Sequence, residues 1–342
     1  LTTIRLGGPA RRLVEAATAE DVLTAVSGAD RLGEPLLVMG GGSNLVIADD
    51  GFDGSVLRIA TRGMKATGGD ELARLTVAAG EPWGDVVARC VADGLAGIEC
   101  LAGIPGATGA TPIQNVGAYG QQVSDVIVAV RAYDRRARAV VELSPADCAF
   151  GYRTSAFRGV GRYVVLDVTF ELERCRLARP LRYGELARRL EAGPDARPAL
   201  AEVAEAVLAL RRGKGMVVDP ADPDSVSAGS FFVNPVLDSD EFAVFRRRVA
   251  ATLGTEVTPP EWPAGDGMIK TSAAWLIERA GFHRGYRRGA VGISTKHTLA
   301  LVNLGGASSA ELLALAREVR DGVRRAFGVA LEPEPTFVGL AL

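Results

Sequence analysis

Apolar and polar residues follow several distinct periods along the chain. In ATAEDVLTAV apolar positions recur at helical spacing behind Thr18, and Asp21 stands where a capping box needs its acid, so a helix is predicted there. The apolar run LLVM at 36–39 predicts a strand that runs straight into Gly40, Gly41, Gly42, Ser43 and Asn44. Strands are also predicted over ARLTVAA at 73–79, over VSDVIVAVRAYD and ARAVVELS around a turn, and over RYVVLDVTFELE, which alternates as a half-buried strand does. EPWGDVVARCVADG reads as a helix with Pro82 in its first turn, and Ser144-Pro145 opens a short helix. A helix rich in Ala, Leu and Glu is predicted over 198–213, ending at RRGKG, and the polar stretch DPADPDSVSAG after it sets a domain boundary. Further helices are predicted at 240–253, 271–280 and 308–327, the last with Ser308 and Glu311 at capping-box spacing, while PPEWPAGDG at 259–267 reads as loop. The pattern is a sheet-rich first part with interspersed helices, then a second unit of α+β type.

Composition narrows the classes. At 342 residues, 48% hydrophobic and 23% charged, the chain is long enough for two or three folded domains. A net charge of -2 offers no basic surface for nucleic acid, and no basic amphipathic helix suggests a membrane face. No apolar run reaches the length of a membrane span, and TTIRLGGPARRL does not read as a signal, so a cytoplasmic protein is expected. Cys90, Cys100, Cys148 and Cys175 form no CxxC pair and read as reduced core residues. His283 and His297 are the two histidines; without HExxH, a Cys/His cluster or GxSxG, zinc hydrolysis and a Ser-His-Asp triad are disfavoured.

The stretch LAGIPGATGATPIQNVGAYG, 101–120, holds five glycines and two prolines and no charge. Glycine and proline at this density cannot continue a helix or a central strand, so the segment is read as loop. Being apolar and small, it is read either as a cradle for a large flat cofactor or as a tightly packed turn network, with equal weight. Gly40 to Asn44 can form a nest of backbone donors around a diphosphate. It is not a dinucleotide fingerprint, because GxGxxG should open a helix whereas LVIADDGFDG is turn-like and strand-like, and a Rossmann fold is disfavoured.

Single polar residues carry paired readings. Arg153 in FGYRTSAF is an inward guanidinium for a carboxylate or phosphate, or a surface arginine. Ser230 in SAGSFFVNP aims a hydroxyl at a ligand, or is the commoner turn serine. Glu334, pinned between two prolines in LEPEPTFVG, is by default a solvated edge glutamate. Lysines are few against many arginines: Lys65 is read as sitting in a polar turn, while Lys214, between two glycines, is a point charge for an anion or the end of a helix beside its glycine cap.

Together, TTIRLGGPA, GGGSNLVI, AGIPGATGATPIQNVGAYG, FGYRTSAF, AGSFFVNP, GISTKHTLALVN and LEPEPTFVG, in this order, resemble the UDP-N-acetylenolpyruvoylglucosamine reductase (MurB) family over nearly the whole chain. The resemblance implies an α+β protein: a two-subdomain FAD-binding fold of the vanillyl-alcohol-oxidase/PCMH type plus a C-terminal substrate-binding domain. Its implied divisions are 1–60 and 61–213 for FAD, 214–328 for substrate, and 329–342 as a strand returning to the active site. Non-covalent FAD would lie along Pro105, Gly106, Gly109, Ala110, Gln114, Asn115, Gly117, Ala118 and Tyr119. Gly40, Gly41, Gly42, Ser43 and Asn44 would hold its diphosphate, and Arg211 either touches a cofactor phosphate or is solvated at its helix end. The implied reaction passes a hydride from NADPH through the flavin to the terminal carbon of an enolpyruvyl ether on a UDP-sugar. Arg153 and Glu334 would then stabilise the enolate-like charge and Ser230 protonate it, a transfer a positioned hydroxyl can make without a histidine relay.

Tyr183 in LRYGEL resembles the tyrosine that, in one branch, closes over the substrate diphosphate, and Lys214, Asn234, Arg284 and His297 fall at substrate-contacting positions. Some members have glutamine where His297 stands, and lysine is common where Arg284 stands, which alters the geometry of diphosphate binding. A monomer that holds no metal is expected. Two alternatives stay open: an FAD oxidase of the same cofactor fold, which a His or Cys tethered to flavin would mark, and a non-catalytic nucleotide-sugar binder, which would not need Arg153, Ser230 and Glu334 together.

Overall fold

The computed structural model describes residues 1–193 and 195–342. The chain packs as two compact units. One comprises Ala10–Gly42 and Phe52–Val217, the other Leu1–Pro9, Ser43–Gly51 and Val218–Leu342.

In the first unit, a parallel three-stranded sheet has Phe52–Ile59 between Ala10–Ala16 and Leu36–Met39. Helix Ala19–Leu32 makes the crossover between the two outer strands. Its start is the capping box the sequence predicts: Asp21 N donates to Thr18 Oγ1 at 3.1 Å and Thr18 N to Asp21 Oδ2 at 2.9 Å. Gly33, at φ 63°, ends it, and Val22, Val26 and Ala29 form its buried face. An antiparallel sheet runs in the order Ala139–Leu143, Ile127–Asp134, Tyr163–Arg174, Leu72–Ala78, Met64–Gly68. The long strand Tyr163–Arg174 alternates in burial, and its Phe170 meets Trp83 of helix Trp83–Ala92 with ring centroids 5.7 Å apart. Cys90, Cys100 and Cys148 are buried, and burial pushes the Cys90 thiol up to about 12. Pro82 is the cap of its helix, one position before the first turn in which the sequence puts it.

In the second unit an antiparallel sheet has the order Ser227–Ser230, Ala300–Asn303, Val291–Ile293, Arg287–Arg288. Helices Ser239–Leu253, Ala273–Arg279 and Ser309–Phe327 surround a core that includes Phe231, Phe232, Phe245 and Phe327. Ser308 and Glu311 form the expected box, and the Asp49 carboxylate adds an acceptor for Ser309 N at 2.8 Å. Residues 1–9 and 43–51 belong here because Leu45–Ile47 pairs in parallel with Thr336–Val338 and Asn303 Nδ2 donates to Ile4 O at 3.1 Å. The stretch 1–60 is therefore shared between the two units.

Two local expectations change. Lys65 lies in the edge strand Met64–Gly68, whose residues are all exposed; a strand with no buried face shows no alternation to read. PPEWPAGDG contains the edge strand Glu261–Pro263, paired to Ile269–Thr271, and an edge position is where proline is tolerated. No helix among the described residues is long and apolar enough to cross a membrane.

Candidate active site

In the first unit the uncharged loop folds back on its own unit rather than spanning open solvent. Gln114 and Asn115 are buried, as are Thr108 and Thr111. Asn115 Nδ2 donates to Gly151 O at 3.1 Å while its Oδ1 accepts from Ser124 N at 3.1 Å. Gly117–Ala118 pairs with Gln121–Gln122, and Tyr119 between them has φ 50°. Gly109 is there for packing: its N donates to Ala79 O at 2.8 Å, and a Cβ would meet Ala79 Cβ at 2.5 Å. Ala110 beside it is exposed.

The glycines after Leu36–Met39 lie against the same loop. A Cβ on Gly40 would stand 2.7 Å from Ala107 Cβ, and one on Gly41 2.9 Å from Gly106 Cα, so only glycine lets the two backbones approach this closely. Gly42, at φ 65°, turns the chain in the left-handed region, which such nests require. Pro105 and Gly106 are half-buried at this contact.

Arg211, at the end of helix Leu200–Gly213, is 7% exposed, so it is not the solvated helix-end residue of the alternative reading. One guanidinium nitrogen donates to Met216 O at 2.9 Å, and among the described residues Nε has no hydrogen-bond partner. Burial pushes its pKa down, against a smaller upward influence from Tyr119. A buried cation with an orphaned donor is costly unless an anion completes it. Close backbone contacts at Gly40 and Gly41 and, within the same unit, a buried guanidinium with an unsatisfied donor suit a flat cofactor carrying phosphates, so the residues present fit FAD.

Arg153 occupies the third position of the tight turn Gly151–Thr154 with φ 53°, a conformation that ordinarily favours glycine or asparagine. Its guanidinium donates to Asn115 O at 3.3 Å and Gly117 O at 2.6 Å, so the strained turn and the loop fix each other. Near the loop's end Tyr119 meets Tyr183 edge-on at 5.2 Å, and Lys214 Nζ lies 5.6 Å from the Tyr119 ring centre. Burial raises the Tyr119 hydroxyl to about 12, with Arg211 pulling it back and Glu185 pushing it further. Lys214 is the cap residue of its helix, as one of its two readings has it, and pairs with Glu185 at 2.6 Å.

In the second unit, Ser230 ends the strand Ser227–Ser230 and pairs with Ala300 across a register shift, with Gly229 at φ 75°; such a bulge re-aims the side chain that follows it. Residues 332–334 run antiparallel beside 231–233: Val233 N donates to Glu332 O at 3.0 Å and Glu334 N to Phe231 O at 2.9 Å. Asn44 Nδ2 donates to Glu334 O at 3.3 Å and Thr336 N to Asn44 O at 2.9 Å. Ser230, Glu334 and Asn44 are thus brought to neighbouring backbone, all three half-buried, as is Ser43. Asn234 Oδ1 accepts from Ala273 N at 3.0 Å, where helix Ala273–Arg279 begins. His297 is half-buried in a turn whose Ser294 Oγ accepts His297 N at 3.2 Å; Arg284 is exposed.

Sequence reasoning missed three residues that shape the loop and its neighbours. Glu99, 1% exposed, accepts from Gly97 N at 2.7 Å and Gln121 Nε2 at 2.8 Å, and Gln121 Oε1 accepts from Cys100 N at 2.8 Å, which ties the loop's start to its end. Glu185 is the third. Their signal is slight: Glu99 and Gln121 are ordinary polar residues flanking the uncharged run 101–120, and Glu185 is an ordinary helix-start acid within LRYGEL.

Residues 10–142 match the model of an FAD binding domain, and residues 220–338 match that of the UDP-N-acetylenolpyruvoylglucosamine reductase C-terminal domain. The chain is 58% identical over 342 residues to a UDP-N-acetylenolpyruvoylglucosamine reductase of Thermobifida fusca, covering all of this chain and 96% of that one. It is 60% identical over 344 aligned positions to one of Streptomyces coelicolor, covering all of this chain and 89% of that one. The solved UDP-N-acetylenolpyruvylglucosamine reductase (MurB) of Thermus caldophilus shares the fold at a TM-score of 0.66 and 24% identity, over 98% of this chain and 95% of that one. The chain belongs to the UDP-N-acetylenolpyruvoylglucosamine reductase family.

Proposed function

We propose that this protein reduces UDP-N-acetylglucosamine enolpyruvate to UDP-N-acetylmuramate with NADPH and FAD, supplying peptidoglycan precursor as a cytoplasmic monomer. The observation that carries the reading is the end-to-end match to relatives of that name, together with a cradle of glycines that a cofactor diphosphate suits. FAD, when bound, would supply the two-electron redox chemistry between NADPH and the enolpyruvyl double bond.

This chain's residues do the rest. Gly40 to Asn44 would hold the cofactor diphosphate with backbone donors, Arg211 would complete a phosphate, and the 105–119 loop would hold the rest of the cofactor. Arg153, whose guanidinium is oriented by two main-chain carbonyls, binds the substrate carboxylate and the negative charge that develops beside it. Ser230 gives its proton to the carbon next to that carboxylate, and Glu334 assists at the same centre. Tyr183 and Lys214 take the diphosphate of the UDP-sugar, with Asn234, Arg284 and His297 as further substrate contacts. In this reading 1–60 and 61–213 serve FAD, 214–328 serves the substrate, and 329–342 brings Glu334 to the site.

Ser230→Ala tests the assignment. Bleaching of the flavin by NADPH should survive, while recovery of colour on adding the enolpyruvyl substrate should slow by about 10²-fold or more, the usual worth of a positioned general acid. Recovery at the wild-type rate contradicts the serine's role.

A further inference from the structure

The reading above gives Lys214 an anionic ligand, yet Lys214 already holds an anion. Its Nζ is 2.6 Å from Glu185 Oε2, with the two side chains only 26% and 34% exposed. Glu185 lies in the first turn of the short helix Gly184–Arg189, and Tyr183 caps that helix. The two residues dock side by side: Tyr183 edge-on to Tyr119 at 5.2 Å, Glu185 on the ammonium that lies 5.6 Å from the same Tyr119 ring. The segment presses on the end of the loop, since a Cβ on Gly120 would come within 3.1 Å of Arg182 Cβ.

A carboxylate oxygen and a phosphate oxygen are alternative acceptors for one ammonium, and a diphosphate brought to Lys214 while Glu185 stays in place meets a like charge. We propose that Glu185 is a specificity-determining counter-anion: it occupies Lys214 in the ligand-free protein, and a diphosphate must displace it to bind. The inference rests on the reading that Lys214 meets the substrate diphosphate. Because the carboxylate is tethered beside Lys214, it outcompetes stray monoanions, and a diphosphate anchored through the rest of its nucleotide displaces it.

The test is calorimetric titration of UDP and uridine into the FAD-loaded full chain. Glu185→Gln and Glu185→Ala should bind UDP about two- to fivefold more tightly than wild type, the range set by losing a partly exposed competing ion pair. Uridine, which has no phosphate, should show no gain. In a Lys214→Gln background, which itself weakens UDP binding, adding Glu185→Gln should no longer tighten it, because the competition acts only through Lys214. UDP binding that is unchanged or weaker in both single variants overturns the proposal, as does a gain that persists without Lys214. Wild-type protein that binds no UDP would instead overturn the functional reading itself.

Discussion

Arg153 combines backbone strain with its proposed role at one position, and the two separate by mutation. Its φ of 53° places an L-residue in the left-handed region, which costs roughly 1–2 kcal/mol relative to glycine, and the turn Gly151–Thr154 holds it there. Arg153→Ala removes the guanidinium and keeps the strain; Arg153→Gly removes both. The variants should therefore differ in stability by about 1 kcal/mol in favour of glycine, since glycine's extra unfolded-state freedom offsets part of the relief. Both should lose the substrate half-reaction alike, by about 10² to 10³, the usual worth of one donor at a developing anion. Urea unfolding of the FAD-loaded protein, followed by flavin fluorescence, gives the stability difference, and stopped-flow reoxidation by the enolpyruvyl substrate gives the rates. Equal stability of the two variants would refute the strain, and near-wild-type reoxidation in either would refute the role.

Other predictions probe the cradle and the electrostatics. Gly41→Ala would set a Cβ 2.9 Å from Gly106 Cα and so push the two backbones apart; the apoprotein should lose about 1–3 kcal/mol and FAD affinity should fall, read by thermal melting and flavin titration; native values in both would contradict the packing. Arg211→Met should leave the FAD-free protein as stable or more stable, because it removes a buried cation with an orphaned Nε, while weakening FAD binding about tenfold or more; a strongly destabilised apoprotein would mean the arginine is structural. Arg162 hydrogen-bonded to Asp134 holds that carboxyl at about 2, below its ordinary 3.8. A depressed carboxylate contributes stability that is fully present above about pH 4 and lost as pH falls toward 2, so Asp134→Asn should be less stable at pH 7 and converge on wild type across that window. A gap between the melting curves that does not change with pH would contradict it.

Much of this was legible because the signals are local. Thr18 with Asp21, Ser308 with Glu311, and Ser144 before Pro145 specify helix starts through side chains within three residues of one another. The uncharged loop announced itself by composition alone. The parallel pairing of Leu45–Ile47 with Thr336–Val338 did not, because nothing within either short strand encodes a partner so far along the chain. The left-handed conformations of Asn115, Tyr119 and Arg153 were equally hidden, since the usual flag is a glycine and here tertiary contacts impose the angle. Arg211 resisted for a related reason: a helix-end arginine is ordinarily solvated, and only the packing around Gly103 and the loop shows it buried, its Nε 3.5 Å from where a Gly103 Cβ would stand. Sequence period thus fixes elements, whereas the chemistry of the site depends on burial and backbone strain that no single stretch records.

One absorbance experiment tests directly whether the flavin takes electrons from NADPH and returns them to an enolpyruvyl nucleotide sugar. The purified protein, supplied with FAD, should show flavin bands that bleach with anaerobic NADPH and return when UDP-N-acetylglucosamine enolpyruvate is added. A protein that takes up no FAD, or whose bleached flavin stays bleached with that substrate, would contradict the account.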